Sequence, residues 1–232
     1  MKKRLLSLLI CLCLTMGLLP ATVFAQGSPY DYVALGDSIS TGYGLAAGEA
    51  SFVSQLADQS GLTVLNLAQN GATTQDVWNT LEGLEGADKS ALENARLITL
   101  TVGGNDLMGA LYTYLADTYN QANDTSYTAQ DIQLALTGDA SAPVSQLAVL
   151  LHLSTSLKSF VDTGMAEALE QFQADLIRIV QTLRTLNPTA QIILTNQYNP
   201  YGILKNVTSF SSLADQFDTG VGKLNAAIQA AI

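Results

Sequence analysis

Tyr30-Asp31-Tyr32-Val33-Ala34-Leu35-Gly36-Asp37-Ser38 is a short, apolar, partly β-branched run that stops at a glycine and two turn-forming residues, the pattern of a buried strand ending in a loop. Three further runs share its character. Leu62 to Leu67 ends at Ala68-Gln69-Asn70-Gly71, Arg96 to Val102 ends at Gly103-Gly104-Asn105-Asp106, and Gln191 to Thr195 leads into Asn196-Gln197-Tyr198-Asn199-Pro200-Tyr201-Gly202. Helical signals lie between them. Residues 51–60 carry Phe52, Val53, Leu56 and Ala57 on one face and are closed by Gly61, while Thr73 or Thr74 is placed to cap a helix containing Val77, Trp78 and Leu81. Met165, Leu169, Phe172, Leu176, Ile179 and Leu183 recur in steps of four and three, which predicts a helix from about Asp162 to Leu186, ended by Asn187-Pro188. Gly222 to Ile232 also reads as helical.

Strands alternating with helices predict an α/β fold with a parallel sheet covered on both faces, and near-continuous apolar strands suit burial on two sides. From about residue 108 to 160 the pattern loosens into stretches containing Tyr, Thr, Asn and Gly, the expectation being an insertion over one end of the sheet. No repeat or composition break marks a second domain.

Lys2, Lys3 and Arg4 precede the apolar run Leu5 to Leu19 and the small-residue end Val23-Phe24-Ala25, so residues 1–25 read as a removed secretory signal and 26–232 as the mature domain. The apolar run is shorter than the roughly 20 residues a spanning helix needs, so the expectation is a secreted protein without a stable membrane anchor. Removing those three basic residues leaves seven against twenty acidic ones, a net charge near −13. Such a surface repels phosphate backbones and anionic membranes, which excludes a nucleic-acid partner and favours neutral or cationic substrates. Both cysteines, Cys11 and Cys13, lie in the signal core, so the mature chain has no disulfide and no thiolate ligand. With a single histidine, neither a metal site nor a cofactor is expected. Gly42-Tyr43-Gly44 lacks the third glycine of a dinucleotide fingerprint, and Gly222-Lys223-Leu224 lacks the hydroxyl of a phosphate loop.

The C-terminal ends of parallel strands share one rim, where α/β proteins bind ligands. Ser38, Gly71 and Asn105 follow the first three strands at spacings of 33 and 34 residues, close to the roughly 30 that one strand-helix-strand unit occupies. The trio suits acyl transfer. A serine hydroxyl can attack an ester carbonyl, and the negative charge that develops on the carbonyl oxygen needs fixed donors. Glycine lets its N–H approach a ligand closely, the Asn105 amide offers a second N–H, and the Ser38 backbone offers a third.

These residues also carry a family resemblance. Val33-Ala34-Leu35-Gly36-Asp37-Ser38-Ile39-Ser40-Thr41-Gly42-Tyr43-Gly44 resembles the first block of the SGNH hydrolases, the GDSL-type lipases and esterases. Asn66-Leu67-Ala68-Gln69-Asn70-Gly71-Ala72-Thr73 is similar to their second block, and Thr101-Val102-Gly103-Gly104-Asn105-Asp106 to their third. The resemblance implies a flavodoxin-like, three-layer α/β/α fold with a five-stranded parallel sheet. Together with the signal it implies a secreted serine esterase or lipase with Ser38 as nucleophile and Ser38, Gly71 and Asn105 as oxyanion hole, acting on a small-molecule or glycan ester. The family draws its base from an Asp-x-x-His block after a fifth strand. Neither element is found in this sequence, so the expectation is a sheet without its fifth strand and a truncated hydrolase. The alternative function is a non-catalytic module binding glycans or acyl groups.

His152, on the apolar stretch Val149-Leu150-Leu151-His152-Leu153, reads as a packing residue rather than a replacement base. Asp37 reads as a turn-shaping hydrogen-bond acceptor. Tyr112, Tyr114, Tyr119 and Tyr127 of the insertion fit either a ligand site or ordinary packing.

Overall fold

The structure is a computed structural model that describes residues 28–207 and 211–232; the signal expected over residues 1–25 lies outside them. Four strands, β1 (Tyr32–Gly36), β2 (Val64–Asn66), β3 (Leu97–Thr101) and β4 (Gln191–Leu194), form a wholly parallel sheet in the order β2-β1-β3-β4. Nine α-helices are described: α1 (Ser38–Thr41), α2 (Phe52–Ser60), α3 (Thr74–Glu82), α4 (Gly86–Asn94), α5 (Gly104–Asn123), α6 (Ala129–Thr137), α7 (Gln146–Ser159), α8 (Ala166–Leu186) and α9 (Ser211–Ala230). One π-helical turn, Phe160–Gly164, joins α7 to α8, and a 3-10 turn, Gly202–Asn206, precedes α9.

Side chains alternate across a strand, and the two faces of β1 serve different cores. Val33 and Leu35 join Ile98 and Leu100 of β3 in packing against Val77 and Leu81 of α3 and Leu176 and Ile179 of α8. Tyr32 and Ala34 turn the other way, against Val53 and Ala57 of α2. This is the three-layer α/β/α arrangement, and it explains why β1 is apolar without interruption. Only β1 and β3 are buried along their whole length; β2 is half-covered, and in β4 exposure alternates, with Gln191 and Ile193 outward. The expectation of two-sided burial therefore holds for the inner pair and not for the flanking strands.

Local signals set several boundaries. Ser51 caps α2 and Gly61 ends it. Thr73 caps α3 in a reciprocal box with Asp76. The predicted stripe of α8 is buried at Met165, Phe172, Leu176, Ile179 and Leu183, although the α-helix starts at Ala166 because the π turn occupies the residues before it. Asn187 ends α8 and ties it to the C-terminal end of α4, just ahead of β3. Its amide donates to the carbonyls of Leu92 and Ala95, each at 2.8 Å, and its side-chain oxygen accepts from the Ala190 N–H.

Three segments differ from the sequence reading. Helix α4 has no side-chain cap and buries only Ala91 and Leu92, so it leaves almost no pattern. Residues 104–159 are mostly helical and build a second core around Leu111, Leu115, Ile132, Val149, Leu153 and Leu157. Helix α9 begins eleven residues before Gly222, running straight through Gly220 and Gly222.

Candidate active site

Gly36 brings β1 to its end hard against β3. Its φ is +119°, and a Cβ there would lie 2.0 Å from the Thr101 carbonyl oxygen, so no other residue fits. The next residue, Asp37, is 2% exposed. Its N–H donates to Thr101, and its carboxylate accepts from the Ile39 N–H at 3.0 Å and from the Thr101 hydroxyl at 2.8 Å. Ser40 Oγ adds a contact to Thr101 Oγ1 at 2.9 Å. These bonds fix the turn that presents Ser38 at the start of α1, and Asp37 plays the turn-shaping part expected of it.

Burial pushes the Asp37 carboxyl above the usual carboxylate range, against the opposing pull of the hydrogen bonds from Ile39 and Thr101. A raised folded-state value means that ionising Asp37 opposes folding as pH climbs past the ordinary Asp range near 3.8. Asparagine keeps the accepting oxygen and carries no charge. Asp37→Asn should therefore raise the melting temperature at pH 7, with the gain disappearing below about pH 4, where the wild-type carboxyl is protonated as well. Paired thermal melts across pH check this; a variant less stable at every pH would contradict it.

Ser38 is half-buried, and its hydroxyl makes no side-chain hydrogen bond among the described residues. Asn105, in the first turn of α5, spends one amide hydrogen on the Ala72 carbonyl at 2.9 Å, leaving its second unused. Gly71 stands one residue before that carbonyl. It is exposed, has φ +79°, and no heavy atom lies within 4 Å of where a Cβ would sit. Backbone conformation, not crowding, is what demands glycine here. Its loop is pinned from both sides, by Thr41 Oγ1 donating to Asn70 and by the Gln69 N–H donating to the Gly36 carbonyl at 2.8 Å. The backbone N–H groups of Ser38 and Gly71 donate no hydrogen bond among the described residues.

Ser38 and Asn105 line one cavity of about 180 Å³. Gly71 does not line it, although Gly71's neighbours Asn70 and Ala72 are bonded to α1 and to Asn105 respectively. Asp37, Ile39, Gln197, the loop residues Tyr198, Pro200 and Tyr201, and residues of α5, α7, the π turn and α9 complete the wall. Gln197 was missed as a site residue in the sequence. It follows β4 at the rim reached by the other three loops, donates to the Val102 carbonyl at 3.0 Å, and is held through its own backbone by Asn225 at 2.7 and 2.9 Å. The strand-end rule that singled out the first three loops applies to it as well.

His152 lies in the helical layer, outside the cavity wall. Its Nε2 meets Thr118 Oγ1 at 2.8 Å, its ring stands edge-on to Tyr119, and burial pushes its pKa down. The tyrosines of that layer pack there too: Tyr114 against Phe160, Tyr119 against Tyr127. None of the four lines the cavity.

The profile of the GDSL-like Lipase/Acylhydrolase family matches residues 34–232. The chain belongs to that family. Membership carries a general esterase or lipase type of hydrolytic function. Two solved structures share the fold of this GDSL-like protein. Phospholipase A1 from Streptomyces albidoflavus aligns with a TM-score of 0.53 and 19% identity, over 87% of this chain and 75% of its own. An extracellular lipase from Streptomyces rimosus aligns with a TM-score of 0.50 and 17% identity over the same shares. No curated protein matches the chain.

Proposed function

We propose that this GDSL-like protein is a secreted serine esterase that cleaves neutral carboxylic esters through an acyl-enzyme on Ser38. The observation that carries the reading is an uncommitted serine hydroxyl lining the same apolar cavity as an asparagine amide with a hydrogen to spare. Ser38 Oγ bonds to the ester carbonyl carbon, and the carbonyl π pair moves onto oxygen. The N–H groups of Ser38 and Gly71 and the second amide hydrogen of Asn105 receive that charge. The tetrahedral species collapses by breaking the bond to the alcohol oxygen, which leaves as alkoxide and takes up a proton. Water then repeats the attack and frees the acid. The basic, apolar and small-residue succession of residues 1–25 supports secretion.

Among the described residues no histidine lines the cavity, and for the 232-residue chain we take hydroxide as the acceptor of the Ser38 proton. Two consequences follow for p-nitrophenyl hexanoate hydrolysis by the 232-residue chain. The logarithm of kcat/KM should climb with pH at a slope near one from pH 6 to 9, with no plateau near neutrality. His152→Ala should leave the profile unchanged. A sigmoid with a midpoint near pH 7 that His152→Ala abolishes would overturn this account of the proton. The placement of His152 also favours a second reading, an acyl-binding module without turnover; no hydrolysis above buffer at any pH, with binding retained, would establish it.

A further inference from the structure

The cavity wall combines exposed or polar residues with buried apolar ones. Ile39 is 37% and Tyr198 61% exposed, and Asp37, Ser38, Asn105 and Gln197 bring polar groups to the wall. Leu111, Leu157, Phe160 and Leu224, which also line it, are all buried. A sugar carries hydroxyls that such walls leave unpaired, at a cost in free energy; a hydrocarbon chain needs no partners. We infer that the cavity is an acyl pocket with a chain-length ceiling of roughly six to eight carbons, because an apolar protein cavity of roughly 150 Å³ holds one benzene molecule, and that Gly220 sets this ceiling. The inference rests on Ser38 being the reacting group.

Gly220 is buried in the middle of α9 and lines the cavity. A Cβ there would stand 3.5 Å from Val161 Cγ2 and 4.0 Å from Met165 Sδ, ordinary contact distances, so a methyl fits while a branched side chain takes space from the ligand. The neighbouring part of the wall is held in place: Val161, which also lines the cavity, belongs to the π turn, and Lys223 Nζ donates to its carbonyl. Filling at Gly220 is therefore not relieved by an easy retreat of Val161.

Calorimetric binding of straight-chain methyl ketones of four to twelve carbons tests the pocket without turnover. On the 232-residue chain and on Ser38→Ala alike, affinity should rise about fourfold per methylene, the equivalent of about 0.8 kcal/mol, and stop rising near eight carbons. Gly220→Ala should fold normally, since alanine favours a helix, and Gly220→Val should move the break to shorter chains. Val221→Phe, on the half-buried wall one residue on, should move it the same way and serves should Gly220→Val not fold. Affinity rising evenly through twelve carbons, or a break that neither variant moves, overturns the inference. A break that behaves as expected in a protein that no serine-directed reagent labels at Ser38 overturns the serine reading and upholds the pocket.

Discussion

Ser38→Ala is expected to abolish covalent capture by an alkyl fluorophosphonate outright: one adduct per wild-type chain, none on the variant, read by intact-protein mass and by the peptide containing residue 38. Capture is the right readout because steady-state hydrolysis understates the loss. Enzymes of this chemistry that lose one member of the catalytic group retain about 10³ to 10⁴ over water from their oxyanion donors and binding alone. In the proposed reading those donors are backbone N–H groups and Asn105, which the substitution does not touch, so water attack should persist in the variant. The alanine should also fold normally, because the Ser38 hydroxyl makes no side-chain hydrogen bond among the described residues and the turn is fixed by Asp37 and Thr101. An adduct that survives in Ser38→Ala would place the nucleophile elsewhere.

Asn105→Ala should lower kcat/KM for p-nitrophenyl hexanoate by about 10² to 10³, the equivalent of about 2.7–4 kcal/mol of transition-state stabilisation, with KM nearly unchanged. The unused amide hydrogen meets charge only once the carbonyl oxygen becomes an oxyanion, so its loss falls on kcat. The substitution also removes the bond to the Ala72 carbonyl, worth about 0.5–1.5 kcal/mol. A melt showing a drop of only a few degrees separates that structural share from the catalytic one, since Thr41 and Gly36 still pin the Gly71 loop. A fall confined to KM, or one below tenfold, would remove Asn105 from the reacting centre.

What could be read in the sequence was whatever is local. The four strands are visible because each is a brief apolar run ended by turn residues, and α2, α3 and α8 because the Phe52-to-Ala57 face closed by Gly61, the Thr73 cap and the Met165-to-Leu183 stripe announce them. Ser38, Gly71 and Asn105 are reached by counting from strand ends, because parallel strands deliver their loops to one edge. Sheet order was not readable, since nothing in either strand marks the direct pairing of β1 with β3, which β2 separates in sequence but not in the sheet. The helices of residues 104–159 escaped notice because Tyr, Thr and Asn dilute their apolar faces, although Thr128 and Asp131 form a capping box that marks the start of α6. The cavity was beyond reach. Leu111, Leu157 and Leu224 join its wall from points more than forty residues apart in the chain, and nothing local tells such leucines from those of the core.

The central claim is that three hydrogen-bond donors converge on a single oxygen beside Ser38. The most direct measurement is a crystal structure of the chain after reaction with a hexyl phosphonate. The account predicts phosphorus bonded to Ser38 Oγ, with its phosphoryl oxygen about 2.7–3.1 Å from the backbone nitrogens of Ser38 and Gly71 and from Asn105 Nδ2, and the hexyl chain in the cavity lined by Gly220. A phosphoryl oxygen turned to solvent, with Gly71 and Asn105 out of hydrogen-bonding reach, would contradict it.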